Sequence, residues 1–320
     1  MLIRLATEAM ATRFELVLHG EDEFFLRAAA EEAIQLIHEQ HNRLSAFSTS
    51  SLVWRLNALA AQRPIEVDRE LWDLLTLCEQ VWTLSNGAFD PAIGSLMKRW
   101  GFRGDPPPAG DGVRPSGFAH VELDASRHTV RFHHPDVSID LGAVAKGFAL
   151  DLAARHVRSL GVKVGLLHGG TSTAVALGAP PPDAPTCRVG GDDAPCINST
   201  GRDSGWLIRI PAPSDPSLTA RLADRALSVS SPAGRTVADE SGTHGHIMDP
   251  RAGVPASLGG VAAVAGSSAA ETDAWSTALI VLGARPASMP AGLDSAHRAP
   301  GRQWVIQPAQ AGPGSGVFHL

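Results

Sequence analysis

The sequence predicts an α+β fold, with mixed or antiparallel sheets and long helices packed against them. Helical patterns come as long single blocks, from Asp22 to Leu44, Asp68 to Ser85, Ala143 to Ser159 and onward from Ser267. Between them lie runs of short apolar strands, without the strict β–α alternation of a doubly wound parallel sheet.

Taken in order, Thr12 to His19 alternates, with Phe14, Leu16 and Leu18 on one face and Arg13 and Glu15 on the other, as a half-buried strand does. Asp22 caps a helix whose Leu26, Ala30, Ala33, Ile37 and Leu44 recur at helical spacing. Small polar residues from Ser45 to Ser51 interrupt it. The next helix carries Leu71, Leu75, Cys78 and Trp82 inward and stops at Asn86-Gly87. Val121–Leu123 and Thr129–Phe132 read as a hairpin, and Val137–Leu141 as a third short strand. A helix from Ala143 follows, then strands at Val164–His168, Trp206–Ile210 and Arg225–Ser230. Thr243 to Pro250 reads as a polar turn. Gly259–Gly266 is a strand leading into the last helix, and Trp304–Ile306 is one more strand before a Gly/Pro/Ala tail expected to be mobile. The Pro/Gly/Asp-rich stretch 178–205 reads as a surface excursion, because strands resume on both sides.

A charged fraction of 19%, a net charge of -6 and no basic run argue against a nucleic-acid surface. No apolar run approaches the roughly 18 residues that a membrane helix needs. The first residues lack a signal-peptide pattern, so a cytoplasmic location is expected. Cys78 falls in an apolar helical pattern, while Cys187 and Cys196 flank the excursion and are expected to be reduced, although they could pair. There is no tyrosine, so aromatic stacking falls to Phe and Trp.

Three segments carry chemistry. Asp273 and Thr277, four apart on a helix, place a carboxylate and a hydroxyl on one face, where they either ligate a hard cation such as Mg2+ or bond to each other and to backbone. Asp140-Leu-Gly-Ala-Val-Ala-Lys-Gly147 brings a strand end to a helix N-terminus with Lys146 beside it, an anion site or simply a tight turn; it matches neither a P-loop nor a dinucleotide fingerprint. His244-Gly-His246 with Asp249 has metal-ligand types without a supporting Cys or second His pair; a His beside a phosphate site can instead shuttle a proton, and Asp249-Pro250 can equally be turn chemistry. Ser228, Ser230 and Ser231 lack a nucleophile-elbow context.

Read together, the blocks resemble the FAD:protein FMN transferase (ApbE) family. The matches are Met10-Ala-Thr12; Leu44-Ser-Ala-Phe47 with Arg55-Leu-Asn57; Gly87-Ala-Phe-Asp-Pro91 with Gly94 and Trp100-Gly-Phe102; Ile139 to Gly147 with Asp151; His168-Gly-Gly170; His246 to Gly253; and Asp273-Ala-Trp-Ser-Thr277, all in the family's order. The departures are Ala11 for the usual Gly, Phe47 for Tyr, Thr171 for an acidic residue, and Ser230-Ser231 for Ser-Gly.

The resemblance implies one domain over residues 1–320, ordered over about 10–310, that cleaves the FAD pyrophosphate and attaches FMN through a phosphoester to a Thr or Ser of an acceptor flavoprotein. It implies Mg2+ on Asp273, Thr277, the Ala143 carbonyl and Ser276. Met10, Phe47, Ala88 and Phe89, together with Asp90, Asp140, Lys146 and Ile247, would line the FAD site, and His246 would be the acid/base. Two rival expectations stay open: an FAD pyrophosphatase that releases FMN and AMP, and a non-catalytic flavin-binding protein.

Overall fold

The computed structural model describes residues 1–104, 117–180, 205–210, 218–239, 242–310 and 316–320, with backbone alone for Ile197, Asn198 and Asp239. Cys187, Cys196 and most of the 178–205 excursion lie outside them.

The described residues form an eight-stranded sheet whose strands, labelled in chain order, are β1 (Leu2–Ala9), β2 (Thr12–His19), β3 (Val164–Gly169), β4 (Thr173–Leu177), β5 (Ala226–Ser230), β6 (Val261–Gly266), β7 (Asp294–Arg298) and β8 (Val305–Gln307). Their order across the sheet is their order in the chain, and every neighbouring pair is antiparallel. Helices α1 (Glu23–Leu44), α2 (Leu52–Leu59), α3 (Arg69–Leu84), α4 (Gly94–Arg99) and α5 (Ala145–Ser159) are inserted between β2 and β3, and α6 (Ala269–Leu282) between β6 and β7.

Both faces of this sheet are covered. On one, Phe14, Leu16 and Leu18 pack with Leu26, Ala30, Ala33 and Ile37 of α1 and Ala149, Ala153 and Val157 of α5. On the other, Val17, Leu166, Ala174 and Ala176 meet Ile208, Leu218, Ala220 and Leu222 of a four-stranded sheet. That second layer buries Val17 and Glu15, so β2 is not the half-buried strand its alternation predicts. A third cluster wraps α6 with α2, α3 and the sheet formed by Ile65–Glu66, Thr129–Phe132 and Val121–Asp124. At its centre Trp275 is fully buried. Its roughly 200 Å2 of indole contributes about 5 kcal/mol at about 25 cal/mol per Å2. An indole N–H without a partner among the described residues returns about 1–3 kcal/mol, so the burial wins.

Local chemistry sets the helix ends. Asp22, Ser51, Asp68 and Ser268 each accept from a backbone N–H in the first turn of their helix. Ser268 and Glu271 have capping-box spacing, and Asp151 from α5 accepts from Ala269 N and Ala270 N as well. Gly283, at φ 69°, ends α6 by donating to Leu279 O at 2.8 Å.

Several sequence expectations need correction. Val137–Leu141 is not a strand: it is held by loop and side-chain partners, with Asn57 bonding both Ile139 N and Ile139 O, and Pro91 O accepting from Asp140 N. Helix α5 starts two residues later than expected, leaving Ala143 in the preceding turn. Thr243 to Pro250 is two short ladders, Thr236–Asp239 with Gly242–Gly245 and Met248–Asp249 with Val254–Pro255. Strands β1 and β7 and Leu218–Leu222 have no counterpart in the sequence reading. The end of the tail is not loose, since Phe318–His319 pairs with Thr219 and Ala220.

Candidate active site

The site is built where α6 and the N-terminus of α5 meet the ends of β4 and β5. Asp273, 5% exposed, turns its carboxylate toward the sheet. Oδ1 accepts from Thr173 Oγ1 at 2.7 Å and from Ser228 Oγ; Oδ2 accepts from Gly147 N at 2.8 Å. Thr173 and Ser228 are direct cross-strand partners, so antiparallel register delivers both hydroxyls to one carboxylate. The anion expected at the α5 N-terminus is therefore Asp273 itself, at least for the Gly147 N–H. A Cβ on Gly147 would stand 2.7 Å from Ala270 N, which is why α5 and α6 approach closely enough for that bond. Burial pushes the Asp273 pKa up, opposed first by Lys146 and then by the three donors.

One turn on, Thr277 Oγ1 lies 3.4 Å from Ser230 Oγ. Asp273, Thr277, Ala143, Lys146 and His246 all line one cleft of about 1070 Å3. So do Met10, Phe47, Ala88 and Phe89, and Asp90, Asp140 and Ile247. Ser276 is the exception among the expected residues: 1% exposed, it bonds Asp273 O and Ser230 Oγ and does not reach the cleft lining. The donor chemistry fits a hard cation: a carboxylate with three donors already bound keeps a lone pair to spare, the Thr277 hydroxyl follows one turn on, and Ala143 lines the same cleft.

Two further carboxylates of the cleft lining are engaged by protein groups. Asp90 accepts from Ala92 N at 2.7 Å and from Phe118 N at 3.0 Å, and burial pushes its pKa to about 6 against those bonds. Asp140 is gripped by Arg103, Nε to Oδ2 at 2.7 Å and Nη2 to Oδ1 at 2.6 Å, and Oδ1 also accepts from Gly142 N. The same guanidinium stacks 4.5 Å from the centroid of Phe47, a ring 66% exposed.

His246 is half-buried, and Arg235 O accepts from His246 N at 3.0 Å and lies 3.2 Å from Nδ1. A carbonyl only accepts, so a hydrogen on Nδ1 serves the Arg235 contact, and the Pro232 carbonyl is a second acceptor for the ring. Burial, followed by the charges of Lys146 and Arg235, lowers the ring's pKa, partly offset by the Arg235 carbonyl. His244 and Asp249 do not join it: His244 packs edge-on against Trp100, and Asp249 pairs with Arg251. Among the described residues no group of three or more His, Cys, Asp or Glu is placed to hold a metal.

Thr173, Arg103, Arg235 and the role of Ser228 escaped the sequence reading. Alternation in Ala226–Ser230 separates Ser228 and Ser230 from Leu227 and Val229, but only the register to β4 and β6 shows which carboxylate they serve. Of the sequence departures, Ser231 lies at φ -147°, ordinary extended backbone where serine carries no strain. Ala11, at φ 57°, lies in the left-handed region that favours glycine.

The antiparallel α+β scaffold thus carries one cleft in which a buried carboxylate, a lysine and a half-buried imidazole meet. The chain belongs to the ApbE family, whose model matches residues 10–294. It is 30% identical over 275 residues to the FAD:protein FMN transferase of Treponema pallidum, covering 81% of this chain and 72% of that protein. It is 34% identical over 166 residues to the FAD:protein FMN transferase of Rhodobacter capsulatus, a match spanning 50% of this chain and 32% of that one. In fold it is similar to the ApbE protein of Thermotoga maritima, with a TM-score of 0.78, 22% identity and coverage of 96% and 97% of the two chains.

Proposed function

We propose that the protein is a Mg2+-dependent FAD:protein FMN transferase, taking FAD as donor and a Ser or Thr hydroxyl of a flavoprotein as acceptor. The observation that carries this reading is the convergence of Asp273, Thr277, Ala143, Lys146 and His246 on one cleft large enough for a dinucleotide. Asp273, Thr277 and the Ala143 carbonyl would hold the cation, which when bound supplies charge neutralisation to the pyrophosphate oxygens.

The chain's own residues do the rest. Lys146 adds a positive charge at the phosphates, and Phe47 offers an open aromatic face to a flat ring. His246, its pKa lowered by burial, takes the acceptor's proton on its imidazole as that oxygen attacks the FMN phosphorus. The bond from phosphorus to the bridging oxygen breaks, AMP leaves with that oxygen, and the new phosphoester joins FMN to the acceptor. No helix among the described residues is long and apolar enough to cross a membrane.

Incubation with FAD, Mg2+ and an acceptor flavoprotein domain, read by intact-protein mass, tests this. The expected product is acceptor heavier by one FMN, with AMP released in equal amount. FMN and AMP without labelled acceptor would make the protein a pyrophosphatase, and absence of FAD binding would overturn the flavin reading altogether.

A further inference from the structure

The lining of the same cleft holds three residues joined end to end. Asp140, whose side chain is 6% exposed, has no oxygen left uncommitted: Oδ1 accepts from Arg103 Nη2 and Gly142 N, and Oδ2 from Arg103 Nε. Arg103, fixed by this two-point grip, lays its guanidinium 4.5 Å from the Phe47 centroid. Phe47 comes from the loop after α1, Arg103 from the loop after α4, and Asp140 from the segment before α5. The Phe47 backbone N–H bonds Ser45 Oγ, and the side chain is largely exposed. An exposed phenyl on a loop ordinarily samples several rotamers.

We infer that Arg103 is a positioning residue for the flavin-dinucleotide site: anchored by Asp140, it holds the Phe47 ring edge and face so that the opposite face stands ready to stack a flat ring of the ligand. Asp140 then acts on the ligand through Arg103 and not by direct contact. The pairing is specific to arginine. A planar guanidinium meets the carboxylate with two parallel N–H bonds and still presents its flat face to the ring, whereas a lysine ammonium satisfies only one of these demands.

The inference rests on the flavin reading above, and the experiment separates the two. The intact protein and the variants Arg103→Gln, Arg103→Lys, Asp140→Asn and Phe47→Leu are titrated with FAD, followed by flavin fluorescence, with and without Mg2+, and their melting temperatures are recorded. Arg103→Gln is expected to weaken FAD binding about three- to five-fold, the size of an exposed cation–π contact. Arg103→Lys is expected to fall nearly as far despite keeping its charge. Adding Asp140→Asn to Arg103→Gln should change nothing further, and Arg103→Gln should be silent in a Phe47→Leu background, because the effect runs through the ring. Wild-type protein that binds no FAD in either condition overturns the flavin reading and this inference with it. Wild-type binding with unchanged affinity in Arg103→Gln, whether or not the melting temperature falls, overturns the inference alone, as does tighter binding, which would make Arg103 a plug. Equal losses in the Phe47 and Phe47→Leu backgrounds would also overturn it, since Arg103 would then contact the ligand directly.

Discussion

Thr173 and Asp273, 100 residues apart in the chain, are joined by a 2.7 Å hydrogen bond from the Thr173 hydroxyl to Asp273 Oδ1. With Ser228 and Gly147 N it makes the carboxylate a fixed, buried anion whose charge only Lys146 opposes among the influences on its pKa that are charges. The two residues therefore separate structure from charge. Thr173→Val removes one donor and should cost about 1–2 kcal/mol, lowering the melting temperature by a few degrees. Asp273→Asn removes the charge that attracts the cation and turns an amide against three donors. FAD cleavage should fall by roughly 100-fold or more, with partial recovery at high Mg2+. Thr277→Val should behave likewise but more weakly. Undiminished wild-type turnover in EDTA would end the metal assignment.

The His246 ring predicts an acid limb. Burial places its pKa below the usual value of about 6.5, and only the neutral ring accepts a proton, so turnover should be level near pH 7 and decline as pH falls through that lowered pKa. His246→Asn should lose roughly 100-fold in turnover and lose the limb as well, with FAD affinity little changed. A variant that turns over normally but binds FAD poorly would make His246 a phosphate contact.

How much of this was legible in the sequence depends on the distance over which each residue is placed. Asp22, Asp68, Ser268 and Glu271 announce helix starts because capping is a matter of three or four residues. The Asp273 and Thr277 pair was legible for the same reason, being one helical turn. Val137–Leu141 has the composition of a strand, yet Asn57, 82 residues away, takes the place of a strand partner at Ile139, and no local pattern encodes that. Glu15 reads as solvent-facing until the second sheet covers it. Strands β1 and β7 were missed because their polar residues, Arg4, Thr7 and Glu8 in one and Asp294, Ser295 and His297 in the other, break the apolar pattern. Arg103 carries no periodic signal at all; its partners are 37 residues on and a ring in another loop.

Asp90 makes a prediction about stability against pH. Its folded pKa of about 6 lies above the unfolded value near 4, so the folded state binds the extra proton. The stability this contributes is fully present below about pH 4 and is lost as pH rises through about 6. Asp90→Asn carries no titrating group there. The stability difference between the two proteins, from denaturant unfolding, should therefore shift against the wild type between pH 4 and 7, by at most about 3 kcal/mol. A pH-independent difference would mean that the bonds from Ala92 N and Phe118 N cancel burial, and one of opposite sign that they outweigh it.

The hairpin joining β1 and β2 turns on Met10 and Ala11, both at positive φ, 50° and 57°. Such a turn favours glycine, and Ala11 bears a left-handed conformation that costs roughly 1–2 kcal/mol. Part of that is offset by the looser unfolded chain that glycine brings. Ala11→Gly should therefore stabilise the protein by about 0.5–1 kcal/mol, visible as a raised melting temperature. An unchanged or lower value would show that the unfolded-state term dominates.

Gly147 tests whether the site depends on the approach of two helices. An added Cβ would stand 2.7 Å from Ala270 N and closer still to the Ala269 carbonyl. These are backbone atoms, so no rotamer change relieves the contact; α5 and α6 must separate. That movement draws Gly147 N away from Asp273 Oδ2 and loosens the Asp151 cap on Ala269 N and Ala270 N. Gly147→Ala should cost about 1–3 kcal/mol of stability from overpacking alone. FAD cleavage should fall with it, and here added Mg2+ should recover nothing, because the carboxylate has lost its place and not its charge. Recovery by Mg2+ equal to that of Asp273→Asn, at an unchanged melting temperature, would show that Asp273 keeps its position without α5.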